Sequence, residues 1–215
     1  AEFDDYVALV ERAHRAWAGQ IDVRLGIESD YVPGMEKWLE KLHGMAELNH
    51  VLGAVHPHLD DYKERFFDGN LIAFQRTYFE HLALAAESGL FDTIAHPDLV
   101  KNSTPSDWNI NRAMDFILPC LDRIAAAGTA MELNTSGLNK TFPEMCPGNA
   151  MLEEMHQRDI PVVIGADAHQ PQRVAADFSL ALDALSSAGY TQVSIFLNRE
   201  RREICIDRAR SSLRA

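Results

Sequence analysis

Only three cysteines occur among the 215 residues, at Cys120, Cys146 and Cys205, and none belongs to a C-x-x-C pair. An odd, widely spaced set argues against a disulfide framework and fits reduced thiols in a cytoplasmic protein. Basic residues are also scarce: 20 Lys and Arg face 32 Asp and Glu, for a formal net charge of −12. Such a surface repels a polyanion on average, and no basic groove with interleaved aromatics is visible, so nucleic acid is not the expected partner. The apolar runs are too short to span a bilayer, and the opening "AEFDDYVALV" has neither the basic flank nor the apolar core of a signal peptide. No G-x-G-x-x-G follows a strand pattern, no Walker A motif occurs and no G-x-S-x-G marks a nucleophile elbow. Dinucleotide binding, P-loop chemistry and a serine triad are therefore disfavoured. A small substrate is favoured, and bound cations could supply the local positive charge that the surface lacks.

What is present is an alternation of strand and helix patterns over a length that suits one domain. Residues 3–17 place Phe3, Tyr6, Val7, Val10, His14 and Trp17 at helical spacing, and Ile21, Val23, Leu25 and Ile27 then alternate as in a strand. Helical stretches follow near 35–48, 70–88, 109–127, 148–159 and 173–188. Pro119 is expected to kink or divide the fourth of these six helices, and Pro147 to occupy the first turn of the fifth. Strands are expected at "HVLGAVH", "FDTIAH", "TAMELN", "PVVIGADAH" and "TQVSIFL". Six strands with helices between most neighbours predict a parallel α/β fold, with a barrel preferred to an open doubly wound sheet.

In such folds reactive groups gather where strands end. Those positions carry Glu28, His56, His96, Asn134, Asp167 and His169. Any one histidine or carboxylate at a strand end is more often a structural hydrogen-bonding residue or a helix cap. Recurrence at separate ends instead points to one shared metal centre. A carboxylate–imidazole set suits zinc, manganese or iron. His58, in "VHPH", is a weaker candidate for ligand or proton donor, while Asp60, Asp61 and Glu64 read as a solvated loop face.

Through "LGIESDYVPG", "GAVH", "FDTIAHPDLVK", "MELNTSGLNK" and "IGADAHQP", in that order, the chain resembles the polymerase-and-histidinol-phosphatase (PHP) superfamily, most closely its histidinol-phosphatase branch. The resemblance spans about Leu25 to Pro171. It implies a distorted (β/α)7 TIM-like barrel holding up to three divalent ions (Zn, Mn or Fe), and a phosphatase acting in histidine biosynthesis. Carried over residue by residue, it assigns metal ligation to Glu28, His56, His96, Asp167 and His169. Glu28 is expected to bridge two ions, Asp167 and His169 to hold the ion nearest the nucleophile, and His56 and His96 to complete the set.

Two departures from the family pattern stand out. Family members begin with a strand bearing H-x-H, yet the only histidine before Glu28 is His14, on an expected helix. At roughly 30 residues per strand–helix unit, about 50–70 further residues would supply the missing ligands. Residues 1–215 are therefore expected to be a single barrel domain lacking its first strand–helix units, with an exposed edge that favours oligomers. The branch also carries arginines where this chain has Asn139 and Gln170. Lys140 and Arg173 are the expected substitutes for phosphate binding, with Asn134 as a third substrate contact. The expected activity is metal-dependent hydrolysis of a small phosphomonoester. The alternatives are a PHP-type nuclease and a catalytically inactive scaffold or regulatory subunit.

Overall fold

The computed structural model describes residues 2–213. Five strands form one parallel sheet: β1 (Gly26–Asp30), β2 (His50–Ala54), β3 (Thr93–Ile94), β4 (Ala130–Asn134) and β5 (Val162–Gly165). Their spatial order equals their sequence order. A doubly wound sheet reverses direction at a switch point, so this singly wound order has the progression of a barrel wall. Among the described residues this sheet is open, an α/β arrangement of five parallel strands with helices. Here β1 pairs only with β2, β5 pairs only with β4, and β6 (Gln192–Leu197) pairs antiparallel with β7 (Glu200–Cys205) as a separate hairpin.

Nine α-helices occur among the described residues: α1 (Glu2–Ala16), α2 (Glu36–His43), α3 (Asp60–Phe66), α4 (Leu71–Glu87), α5 (Val100–Ser103), α6 (Ile110–Ala127), α7 (Asn149–Gln157), α8 (Phe178–Ala188) and α9 (Ile206–Ser212). Local chemistry sets several of their ends. The Asn70 side chain accepts hydrogen bonds from the Ile72 and Ala73 amides at the start of α4, and Asn109 does the same for Arg112 in α6. Gly128 ends α6 in the left-handed conformation that costs glycine least. The core lies where Tyr78, Phe79 and Leu82 of α4 meet Ile117, Leu121 and Ile124 of α6 over Ile94, Met131 and Leu133 of the sheet. None of the described helices is long and apolar enough to cross a membrane.

Several sequence expectations need correction. The first strand does not begin near Ile21: its ladder starts at Gly26, which lies opposite His50, the first residue of β2. Helix α2 stops at Gly44, well short of Leu48. The 60–66 stretch is a helix rather than a loop, and Tyr62 buries against the core. Pro119 does not divide α6, which runs on to Ala127. Pro147 precedes Gly148, the N-cap of α7, and so lies outside its first turn.

Candidate metal centre

Three of the expected ligands meet at the sheet. Glu28 lies within β1 rather than at its end, and its Oε1 is 3.3 Å from His96 Nε2 and 3.4 Å from His56 Nε2. Donor atoms of these three residues all lie within 4.8 Å of one another. The parallel register explains the convergence: Glu28 pairs with Leu52, and His56 and His96 each stand two residues beyond the ends of β2 and β3. For tetrahedral zinc with Zn–N near 2.0–2.1 Å, neighbouring ligand atoms stand roughly 3.3 Å apart. The two separations from Glu28 Oε1 match that spacing, and the three donors lie close enough together to surround one small divalent cation. His96 is almost wholly buried with no partner at Nδ1, so Nε2, aimed at Glu28, is its one engaged nitrogen.

Electrostatics bind the cluster together. Burial alone would raise the Glu28 pKa, but hydrogen bonds to His56 and His96, and their charges, hold the carboxyl well below the usual range. His56 moves the other way. Burial disfavours its charged form, yet contacts with Asp30 and Glu28 raise it to about 9. Its Nδ1 contacts the Asp30 carboxylate, leaving Nε2 to face Glu28. A carboxylate on the far nitrogen is the usual way a metal-binding imidazole is oriented. His58 stacks edge-on to His56 with centroids 5.3 Å apart. Burial and the charges of His56 and Lys140 lower its pKa, which favours a neutral ring and opposes the role of proton donor.

Asp167 and His169 fall outside this three-residue grouping. The Asp167 carboxylate accepts a hydrogen bond from the Ser136 hydroxyl at 3.0 Å and lies 3.8 Å from Lys140 Nζ. His169 is largely exposed and turned back on its own loop, with Nδ1 3.0 Å from the Asp167 carbonyl. Of the expected substrate contacts, Lys140 lies beside Asp167, whereas Arg173 pairs with Asp177 at 2.9 Å. Asn134 must be reassigned. It is 1% exposed, its Oδ1 accepts from the Ser136 amide and its Nδ2 donates to Glu132, so it braces the loop instead of meeting substrate.

Sequence reading by strand ends missed Asp30, Glu132 and Ser136. Side chains two apart on a strand share a face, so the pairs Glu28/Asp30 and Glu132/Asn134 carried the missing signal. A separate buried network secures the adjoining loops. The fully buried Lys101 ammonium reaches Asp98 Oδ2 at 2.9 Å, Glu144 Oε2 at 2.9 Å and the Met145 carbonyl at 2.7 Å. Beside the centre, a cavity of about 300 Å³ is lined by Asp30 and His56 and walled by Val32, Met35, Leu59 and Phe66.

No family model matches the chain. A protein of Deinococcus radiodurans named a probable histidinol-phosphatase is 34% identical over 198 residues, covering 87% of this chain and 73% of the relative. The histidinol-phosphatase of Bacillus subtilis is 26% identical over 216 residues, covering 86% and 75%. Among solved structures, the histidinol phosphate phosphatase of Lactococcus lactis, in complex with zinc, L-histidinol and phosphate, superposes with a TM-score of 0.78. At 16% identity over 93% of this chain and 79% of the other, it supports the fold.

Proposed function

Because the chain belongs to the histidinol-phosphatase family and is a metal-dependent phosphomonoesterase, we propose that Glu28, His56 and His96 hold the divalent cation at which a small phosphomonoester is hydrolysed. The observation that carries this reading is the convergence of one carboxylate oxygen and two imidazole Nε2 atoms at zinc-like separations. A divalent ion bound there lowers the pKa of a water and neutralises charge on the phosphoryl oxygens. Asp30 fixes the orientation of His56. Asp167 and His169, on the loop after β5, complete the donor set for further ions, up to three in all. Rotation of the exposed His169 side chain would bring it inward. Lys140 supplies a positive charge for the phosphate where Asn139 and Gln170 cannot, and Arg173 would have to leave Asp177 to assist. The cavity beside Asp30 takes the organic part of the ester, and histidinol phosphate is the substrate to test first.

The same reading makes residues 1–215 one domain of the PHP superfamily, acting in the cytoplasm. The five-stranded sheet would be one side of a distorted barrel. A direct test is phosphate release from histidinol phosphate by chelator-stripped protein, before and after addition of Zn²⁺ or Mn²⁺. Turnover should appear only with metal and should be lost in Glu28→Gln. Equal turnover in stripped protein would overturn the proposal.

A further inference from the structure

Glu132 is a buried carboxylate to which the hydrolytic roles above give no part. It lies in the middle of β4 and is 4% exposed. Burying an acid inside a sheet is costly unless the acid is well bonded, and an apolar residue would pack there at no such cost. Its Oε2 is well engaged, accepting the His96 backbone N–H at 2.8 Å and the Asn134 side-chain amide at 3.1 Å. The contacts then continue outward. Asn134 Oδ1 accepts the Ser136 amide at 2.9 Å, and the Ser136 hydroxyl donates to Asp167 Oδ2 at 3.0 Å. One unbroken series of hydrogen bonds therefore joins His96, beyond β3, to Asp167, beyond β5.

Both ends of the series are backbone outliers. His96 and Asp167 have φ of 27° and 46°, and non-glycine residues hold such values only where the surroundings impose them. The neighbouring strand also makes room for the carboxylate: a Cβ at Gly165 would stand 1.7 Å from Glu132 Oε1. We infer that Glu132 is the positioning residue that couples the two halves of the metal centre. It holds the His96 backbone directly and the Asp167 carboxylate through Asn134 and Ser136. The inference deepens the metal-centre reading above and rests on it.

The test is Zn²⁺ affinity, measured by chelator competition on the full chain together with thermal unfolding, for wild type and four variants. Glu132→Ala and Ser136→Ala should each weaken zinc binding by roughly 10–100-fold, the effect typical of residues that orient metal ligands. Glu132→Gln keeps an acceptor oxygen in place and should remain within about threefold of wild type. The Glu132→Ala/Ser136→Ala double variant should match Glu132→Ala within about twofold, because both changes interrupt one series. A bystander role in packing would lower the melting temperature without this pattern. Wild-type affinity in Glu132→Ala, losses that multiply in the double variant, or Glu132→Gln as weak as Glu132→Ala would each overturn the inference. Should Glu132→Ala fail to fold, unchanged affinity in Ser136→Ala overturns it equally. A wild-type chain that binds no zinc would instead overturn the metal-centre reading itself, and this inference with it.

Discussion

Adding a single methyl group at Gly165 should disturb the metal centre without touching any proposed ligand. An alanine Cβ there would lie 1.7 Å from Glu132 Oε1, 2.7 Å from its Cδ and 3.2 Å from its Cγ. The backbone at Gly165 is not in the left-handed region, so steric contact rather than conformational strain decides the outcome. Glu132 cannot swing aside freely, because its other oxygen is held by the His96 amide and by Asn134. Overpacking of this kind costs about 1–3 kcal/mol. For a chain of this size that lowers the melting temperature by roughly 2–12 °C. Because the carboxylate that moves also holds His96, zinc affinity should fall by roughly 10–100-fold. Circular dichroism melts and chelator competition measure the two effects. In a Glu132→Ala background the methyl has space, and the same substitution should cost much less. A Gly165→Ala protein with wild-type melting temperature and zinc affinity would refute the packing argument.

Three further outcomes follow from the same geometry. Lys101→Met leaves buried Asp98 without its counter-ion, which should cost about 3–5 kcal/mol, seen as a melting temperature roughly 6–20 °C lower. A shift of a degree or two would show that the network is dispensable. Asp30→Asn removes the carboxylate that orients His56 and should weaken zinc binding by roughly 10–100-fold, with little change in melting because Asp30 is half exposed. Burial lowers the His81 pKa to about 4, against near 6.5 unfolded. The unfolded chain therefore binds the extra proton first, so this contribution is intact above about pH 6.5 and lost as pH falls toward 4. It amounts to on the order of 3 kcal/mol. A non-titrating His81→Gln should flatten the stability profile in that window, and an unchanged slope in denaturant unfolding would contradict the assignment.

The parts of the fold that could be read from the sequence are those where one local signal dominates. Asn70 and Gly89 bracket α4 because a side-chain cap and a glycine after the last turn act within a few residues. By contrast, β7 was not legible. "ERREIC" is charged and mostly solvent-facing, so it has no apolar alternation, and its partner β6 is joined through Asn198 and Arg199, both at positive φ. The length of β1 was also hidden, since a ladder begins only where its neighbour does. Within the centre, Glu28, His56 and His96 stood out as ligand-type residues in separate strand patterns. Glu132 and Ser136 did not, because their importance lies in hydrogen bonds to a distant strand. Asn134 was misread for the same reason: at a strand end it resembles a substrate contact, but its amide is turned to Glu132 and Ser136.

Anomalous diffraction at the zinc edge, from crystals grown with Zn²⁺, tests the central claim most directly. The account predicts a peak bonded to a Glu28 carboxylate oxygen and to the Nε2 atoms of His56 and His96, at about 2.0–2.2 Å. Zinc bound elsewhere on the chain, with these three side chains left uncoordinated, would contradict it.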